Sequence, residues 1–386
     1  MELLVKIVAD INIPYVSECF SSIDTVQLFN GREITADIIK DADILLVRSV
    51  TNVNQQLLDN SSVKFVATAT IGVDHIDRDY LAAKRIGFAS APGSNANSVA
   101  EYVAAAMLQI GAKKSIALAG ASIGIIGAGN VGSMVAKKAA ALGMKVLLND
   151  PPLQRQNGDK KYRSLDEIYS CDFITLHTPL TYDGIDRTNH LADAKFFSQL
   201  KNGCVFINSS RGGVVDSIAI KAAIKSGRLS GCVLDVWENE PQIDTELLAM
   251  TDIATPHIAG YSFDGKVSGM IMIYNAACEY FGIAKKYNAA SFLPQAAISK
   301  LNLNAAGKSD QQVITEAVSA VYDICADDAG LRAILAADSK ERGKIFDSLR
   351  KNYPIRREFT STTIALTAGS DILKTKLAGI GFKIES

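Results

Sequence analysis

Residues 122–150, SIGIIGAGNVGSMVAKKAAALGMKVLLND, constrain the fold of this 386-residue chain more than any other stretch. The apolar run Ile123 to Ile126 leads into Gly127-Ala128-Gly129-Asn130-Val131-Gly132, an Ala-rich amphipathic stretch follows, and a second apolar run ends at Asp150. G-x-G-x-x-G alone is a weak signal, because any tight turn can supply it. Between a strand and a helix, with an acid about 20 residues further on, it reads as the phosphate turn of a βαβ unit. Gly127 then permits the tight turn, Gly129 lets the backbone approach a pyrophosphate, and Gly132 lets helix and strand pack closely, while helix N–H groups hold the phosphates. Asp150 is expected to accept from the ribose hydroxyls and to repel a 2′-phosphate, which favours NAD over NADP.

The surrounding text repeats this alternation. Short apolar runs (LLVKIVAD from residue 3, DILLVRS, VKFVATAT) alternate with helix-like stretches, and a long helical pattern at 94–114 leads into a second series: SIGIIGAG, KVLLND, DFITLHTP, CVFINSS, GCVLDVW and DIATPHI. Near-continuous apolar strands separated by helices predict an α/β fold with doubly wound parallel sheets covered on both faces. A further helical pattern spans roughly 263–286. The stretch 288–310 reads as a loop-rich connector, and 310–386 carries helical patterns and the β-like TSTTIAL.

Length predicts two or three domains. Lys and Arg number 40 against 41 Asp and Glu, so no global field draws the chain to nucleic acid or an anionic membrane, and an anion must be held locally. No apolar run has the length of a membrane span, and the acid at position 2 with a short apolar run does not suit a signal peptide, so the expected location is cytoplasmic. Cys19, Cys171, Cys204, Cys232, Cys278 and Cys325 are scattered without C-x-x-C spacing, which predicts free thiols and no metal centre.

Three segments after strands of the second series carry chemistry: NSSRGGVVD, LDVWENEP and TPHIAGY. Strand C-termini are where open α/β sheets bind ligands. Arg211, beside Gly212 and Gly213, presents a planar fork suited to a carboxylate. Of the four histidines, His257 alone comes with an arginine and glutamates at neighbouring strand ends. An imidazole suits removal of a hydroxyl proton near neutrality, and a carboxylate on its other nitrogen fixes the tautomer. Glu238 and Glu240 both qualify, since residues two apart share a parity. In the first series Arg48-Ser49 and Thr70-Ile71-Gly72 end strands with a cation, two hydroxyls and backbone N–H groups that suit an anion.

These segments, in this order with the glycine loop, resemble the D-isomer-specific 2-hydroxyacid dehydrogenase family across residues 1–290. The stretches LLVRSVT, FVATATIGVDHID, LHTPLT, HIAGYSFDGK and LRKNYPIRREF are similar to its branch that oxidises a phosphorylated four-carbon 2-hydroxy acid on the route to pyridoxal 5′-phosphate. The resemblance implies three domains. Residues 1–95, completed by roughly 263–288, would form a flavodoxin-like substrate domain; 96–262 an inserted NAD domain; and 289–386 a C-terminal α+β dimerisation domain making a homodimer. It makes Arg211, Glu240 and His257 catalytic. It sets Gly129, Asn130, Val131, Asp150, Thr178, Ser209, Ser210, Asp235 and Gly260 around NAD, and Ser49, Thr70 and Tyr261 at the substrate. Where that branch has a basic pair, this chain reads Cys325-Ala326. Two other expectations stand beside this one: a dehydrogenase for phosphoglycerate or a simple 2-hydroxy acid, and an NAD-sensing binding protein on the same fold.

Overall fold

A computed structural model describes residues 5–385. The chain divides into two compact units, Met1–Asn95 with Ser262–Pro294, and Ala96–Tyr261 with Gln295–Ser386.

The first unit holds β1 (Ile7–Asp10), β2 (Val26–Phe29), β3 (Ile44–Val47), β4 (Phe65–Thr68) and β5 (Gly87–Ala89). Their order is β2-β1-β3-β4-β5, all neighbours parallel, which is the flavodoxin-like arrangement. β1, β3 and β4 are buried along their whole length, so IVAD, ILLV and FVAT read as continuous runs rather than alternation. Leu3 and Leu4 of the first apolar run lie outside the described residues. The helix Phe263–Phe281 returns to this unit. Its Val267, Met270, Ile271, Tyr274, Ala277 and Cys278, at helical spacing, share one core with Ile7, Ile44, Leu46 and Phe65.

The second unit is built on β6 (Ser122–Ile126), β7 (Lys145–Asn149), β8 (Phe173–Leu176), β9 (Cys204–Asn208), β10 (Leu229–Leu234) and β11 (Ile253–Ala254). The order β11-β10-β9-β8-β6-β7 is parallel throughout. Strand order reverses at β6, so a ligand crevice opens at the carboxyl ends of β6 and β8.

The C-terminal segment adds β12 (Lys300–Asn304), β13 (Thr363–Thr367) and β14 (Lys383–Ile384), also parallel and in that order. β12 corrects the expectation of a loop at 288–310. In KLNLN only Leu303 is buried, so the strand is an edge strand with one wet face, and its asparagines imitate a turn. Helices Asp310–Val321 and Asp371–Ile380 then lay Val313, Ala317, Leu373 and Leu377 into the same core as Val103, Met107, Val135 and Ala139. Four buried titratable groups sit among these layers: Glu101, Lys138, Arg356 and Glu358. Lys138 Nζ donates to the Ile380 carbonyl (2.6 Å), Glu101 accepts from Phe359 N (2.9 Å), and the Arg356 guanidinium lies 4.3 Å over Tyr322 and donates to Ser98 Oγ (2.6 Å). Such contacts offset the desolvation of buried charge.

Candidate active site

The site is organised from the end of β10. Asp235, 1% exposed, donates its N–H to the Asn208 carbonyl at the end of β9 (3.0 Å) and accepts at its own carbonyl from His257 N (2.7 Å). Its carboxylate accepts from Thr255 Oγ1 (2.7 Å), Ile258 N (2.7 Å) and Ala259 N (3.0 Å). Desolvation raises the Asp235 pKa, against these bonds and the His257 charge, which pull it down. One aspartate thus fixes the loop on both sides of His257. His257 has a left-handed backbone, φ 57°, a conformation that costs a non-glycine residue on the order of 1 kcal/mol and persists only when its surroundings enforce it.

His257 Nδ1 lies 2.7 Å from Glu240 Oε2, and Glu240 Oε1 accepts from Trp237 N (2.8 Å). The carboxylate is 19% exposed and the imidazole 31%, so the acid is sheltered while the ring reaches solvent. Burial pushes the Glu240 pKa up, but the His257 charge and hydrogen bond, the Trp237 N–H and the Arg350 charge outweigh it and hold the carboxyl below its ordinary value. An ionised acid on Nδ1 leaves Nε2 to exchange a proton. Glu238 is occupied elsewhere: Oε1 lies 2.7 Å from His190 Nε2, and Oε2 accepts from Ser217 N (3.0 Å) at the start of the helix Ser217–Lys225. Geometry therefore separates two carboxylates that parity leaves equivalent.

Arg211 follows β9. Asn208 Oδ1 accepts from Ser210 N (3.0 Å) and Ser210 Oγ (2.8 Å), Asn208 Nδ2 donates to the Arg211 carbonyl (3.0 Å), and Arg211 Nη1 donates to the Ser210 carbonyl (2.8 Å). A Cβ on Gly212 would stand 1.9 Å from the Trp237 carbonyl oxygen. The glycine is needed for close approach: it brings the Arg211 turn against the segment that carries Glu240.

The glycine loop joins β6 to the helix Asn130–Ala141. Gly127 has φ 89°, and a Cβ there would meet the His177 carbonyl at 2.5 Å; a Cβ on Gly132 would meet the Gly127 carbonyl at 1.9 Å; one on Gly129 would meet nothing within 4 Å. Two glycines are packed shut and the middle one faces open space, which is the cradle a pyrophosphate requires. Gly129, as N-cap, supplies no side-chain cap, so the first N–H groups of Asn130 and Val131's helix suit an anion. Asp150 accepts from Ala128 N (2.8 Å) and Leu153 N (3.0 Å), tying the loop to the end of β7, and each oxygen keeps a lone pair for a ribose hydroxyl. Thr178 Oγ1 and Ser209 Oγ, after β8 and β9, are buried without a hydrogen-bond partner. A buried hydroxyl left so costs about 1–3 kcal/mol, and a dinucleotide would supply the partner. Gly260 lies in the turn between Ala259 and Tyr261. His177, beside Gly127, bonds to Thr175 Oγ1 (3.0 Å), and burial pushes its pKa down to about 3, so it stays neutral.

In the first unit Arg48 is half-buried and Ser49 exposed in the turn after β3. Thr70, after β4, bonds to Thr68 Oγ1 (2.7 Å) and donates to the Gly72 carbonyl (3.0 Å); Thr68 Oγ1 lies 3.1 Å from His75 Nε2. In the second unit Tyr261 meets the C-terminal segment. The Tyr353 ring stands edge-on at 5.9 Å, and the Arg350 guanidinium lies 5.9 Å from the Tyr261 ring centre. Sequence reading took no site residue from that segment, since nothing in SKERGKIFDSLRKNY marks one arginine among its charges. Among the described residues no group of three or more His, Cys, Asp or Glu is placed to hold a metal ion, and no helix is long and apolar enough to cross a membrane.

Residues 95–259 match the family described as D-isomer specific 2-hydroxyacid dehydrogenase, NAD binding domain, and residues 292–381 match a domain of unknown function. The erythronate-4-phosphate dehydrogenase of Marinobacter nauticus is 43% identical over 382 residues, covering 98% of this chain and 99% of its own. That of Tolumonas auensis is 44% identical over 381 residues, covering 98% and 99%. Among solved structures, the D-lactate dehydrogenase of Aquifex aeolicus, complexed with NAD and lactic acid, is similar with a TM-score of 0.60 at 27% identity, covering 72% of this chain and 95% of its own.

Proposed function

The chain belongs to the D-isomer specific 2-hydroxyacid dehydrogenase family, in its erythronate-4-phosphate dehydrogenase branch, as an NAD-dependent dehydrogenase, and we propose that it oxidises D-erythronate 4-phosphate at C2 to the 2-oxo acid. The observation that carries this reading is the Glu240–His257 pair, 2.7 Å apart, with Arg211 packed beside it through Gly212. NAD, held at the glycine loop and Asp150, would supply the hydride acceptor for C2. His257 Nε2 takes the proton of the C2 hydroxyl, and Glu240 stabilises the imidazolium that forms. Arg211 holds the substrate carboxylate and polarises the nascent carbonyl. Arg48, Ser49, Thr70 and Tyr261 contact the substrate, the first three at its terminal phosphate. Gly127, Gly129, Asn130, Val131, Gly132, Asp150, Thr178, Ser209, Ser210, Asp235 and Gly260 surround the dinucleotide, with Asp235 acting through the loop it fixes. The protein is read as a cytoplasmic homodimer, joined through its C-terminal segment, on the route to pyridoxal 5′-phosphate.

NADH formation with D-erythronate 4-phosphate, D-erythronate, 3-phosphoglycerate and D-lactate tests the reading. The phosphorylated erythronate should lead its unphosphorylated form by about 100-fold or more in kcat/KM, the worth of two or so charge-assisted hydrogen bonds. Equal use of both would refute the phosphate site. NAD binding without turnover of any acid would favour the binding-protein reading.

A further inference from the structure

The C-terminal helix Ser339–Lys351 packs on the segment that carries Glu240: a Cβ on Gly343 would stand 2.8 Å from Gln242 Nε2 and 3.4 Å from Pro241 Cγ. Arg350 lies seven residues, two helical turns, beyond Gly343 and so projects from the same face. Its guanidinium is held between aromatic rings, 5.9 Å from the centres of both Tyr261 and Phe346, and Nε is enclosed without a hydrogen-bond partner. Among the described residues Arg350 makes no ion pair. A largely enclosed permanent charge without a carboxylate in salt-bridge contact is costly. Here the cost is met beside the Glu240–His257 pair, on Tyr261.

We infer that Arg350 is a specificity residue that binds the terminal phosphate of the substrate beside Tyr261. The inference rests on the reading of the substrate as a phosphorylated 2-hydroxy acid. Such a substrate carries a phosphate of about −1.5 to −2 besides its carboxylate, and Glu240 adds a further negative charge, so a further cation suits the site. A guanidinium stacked on aromatic rings loses little freedom on binding and presents a fixed fork to phosphate oxygens. Burial works against its charge, but the neighbouring Tyr261 and Glu240 raise its pKa above the ordinary value, so it stays a cation.

The test compares wild type, Arg350→Gln and Arg350→Lys on D-erythronate 4-phosphate and D-erythronate, with circular dichroism as the check on folding. The preference for the phosphorylated substrate should drop about 10- to 100-fold in Arg350→Gln, chiefly through KM, because the phosphate is unchanged in the transition state. Lysine, which keeps the charge and the folded core, should recover part of it. An unchanged preference, or an equal loss on both substrates, would overturn the inference while leaving the reaction intact. A wild type inert to the phosphorylated acid but active on another would overturn both.

Discussion

His257 is held twice, by its ring on Glu240 and by its backbone through Asp235. His257→Gln removes only the ring's chemistry and leaves the backbone lock. Turnover should fall by about 10² to 10⁴ while NAD affinity, read by titration of protein fluorescence, is retained; near-normal turnover would remove the proton role. Arg211→Lys should also lower kcat/KM by tenfold or more, since an ammonium cannot reproduce the fork. The histidine and arginine were legible in the sequence because few residue types suit their chemistry. Parity left Glu238 and Glu240 equivalent and only the family resemblance chose Glu240, because Asn239 between them has φ 62° and breaks the extended pattern on which parity depends. The pairing also sets a sign for pH. The depressed Glu240 carboxyl contributes stability above the carboxyl's unfolded pKa, and that contribution is lost as pH falls through the folded value.

At the scale of elements, the text that survived contact with the structure is the text of strands buried on both faces. CVFIN and FITL are buried at every position, so no alternation competes with the reading. β12 was missed because burial touches one of its five residues. The glycine pair after Arg211 was legible as a bend, but its physical cause is a neighbour in space, the Trp237 carbonyl, which no local pattern announces. Gly212→Ala separates the two explanations. The backbone there needs no positive φ, so a bend alone would tolerate alanine, whereas the 1.9 Å approach forces the Arg211 turn away from the Glu240 segment. We expect a loss of about 1–3 kcal/mol in denaturant unfolding together with reduced kcat/KM; an alanine variant with parental stability and activity would contradict the close-approach account.

At the scale of the whole molecule, the C-terminal segment is joined to the second unit through a shared core. Residues 295–386 share a compact unit with 96–261, and Val313, Leu373 and Ile380 complete the core over Val135 and Ala139. A chain ending at Pro294 should therefore lose part of that shared core. Near-UV circular dichroism and light scattering should report an aggregated or loosely packed protein, and a soluble, cooperatively melting chain of that length would show the segment to be dispensable. The buried Lys138 has a consequence for synthesis on the ribosome. Its ammonium sits in the helix that follows the glycine loop, yet its hydrogen-bond acceptor is the carbonyl of Ile380, 242 residues further along the chain. At about 5–20 residues per second, the nascent dinucleotide-binding layer waits roughly 6–25 s after the end of β11 with that helix uncovered, and the synthesis of Ile380, rather than the end of β11, marks the moment at which its interior can close.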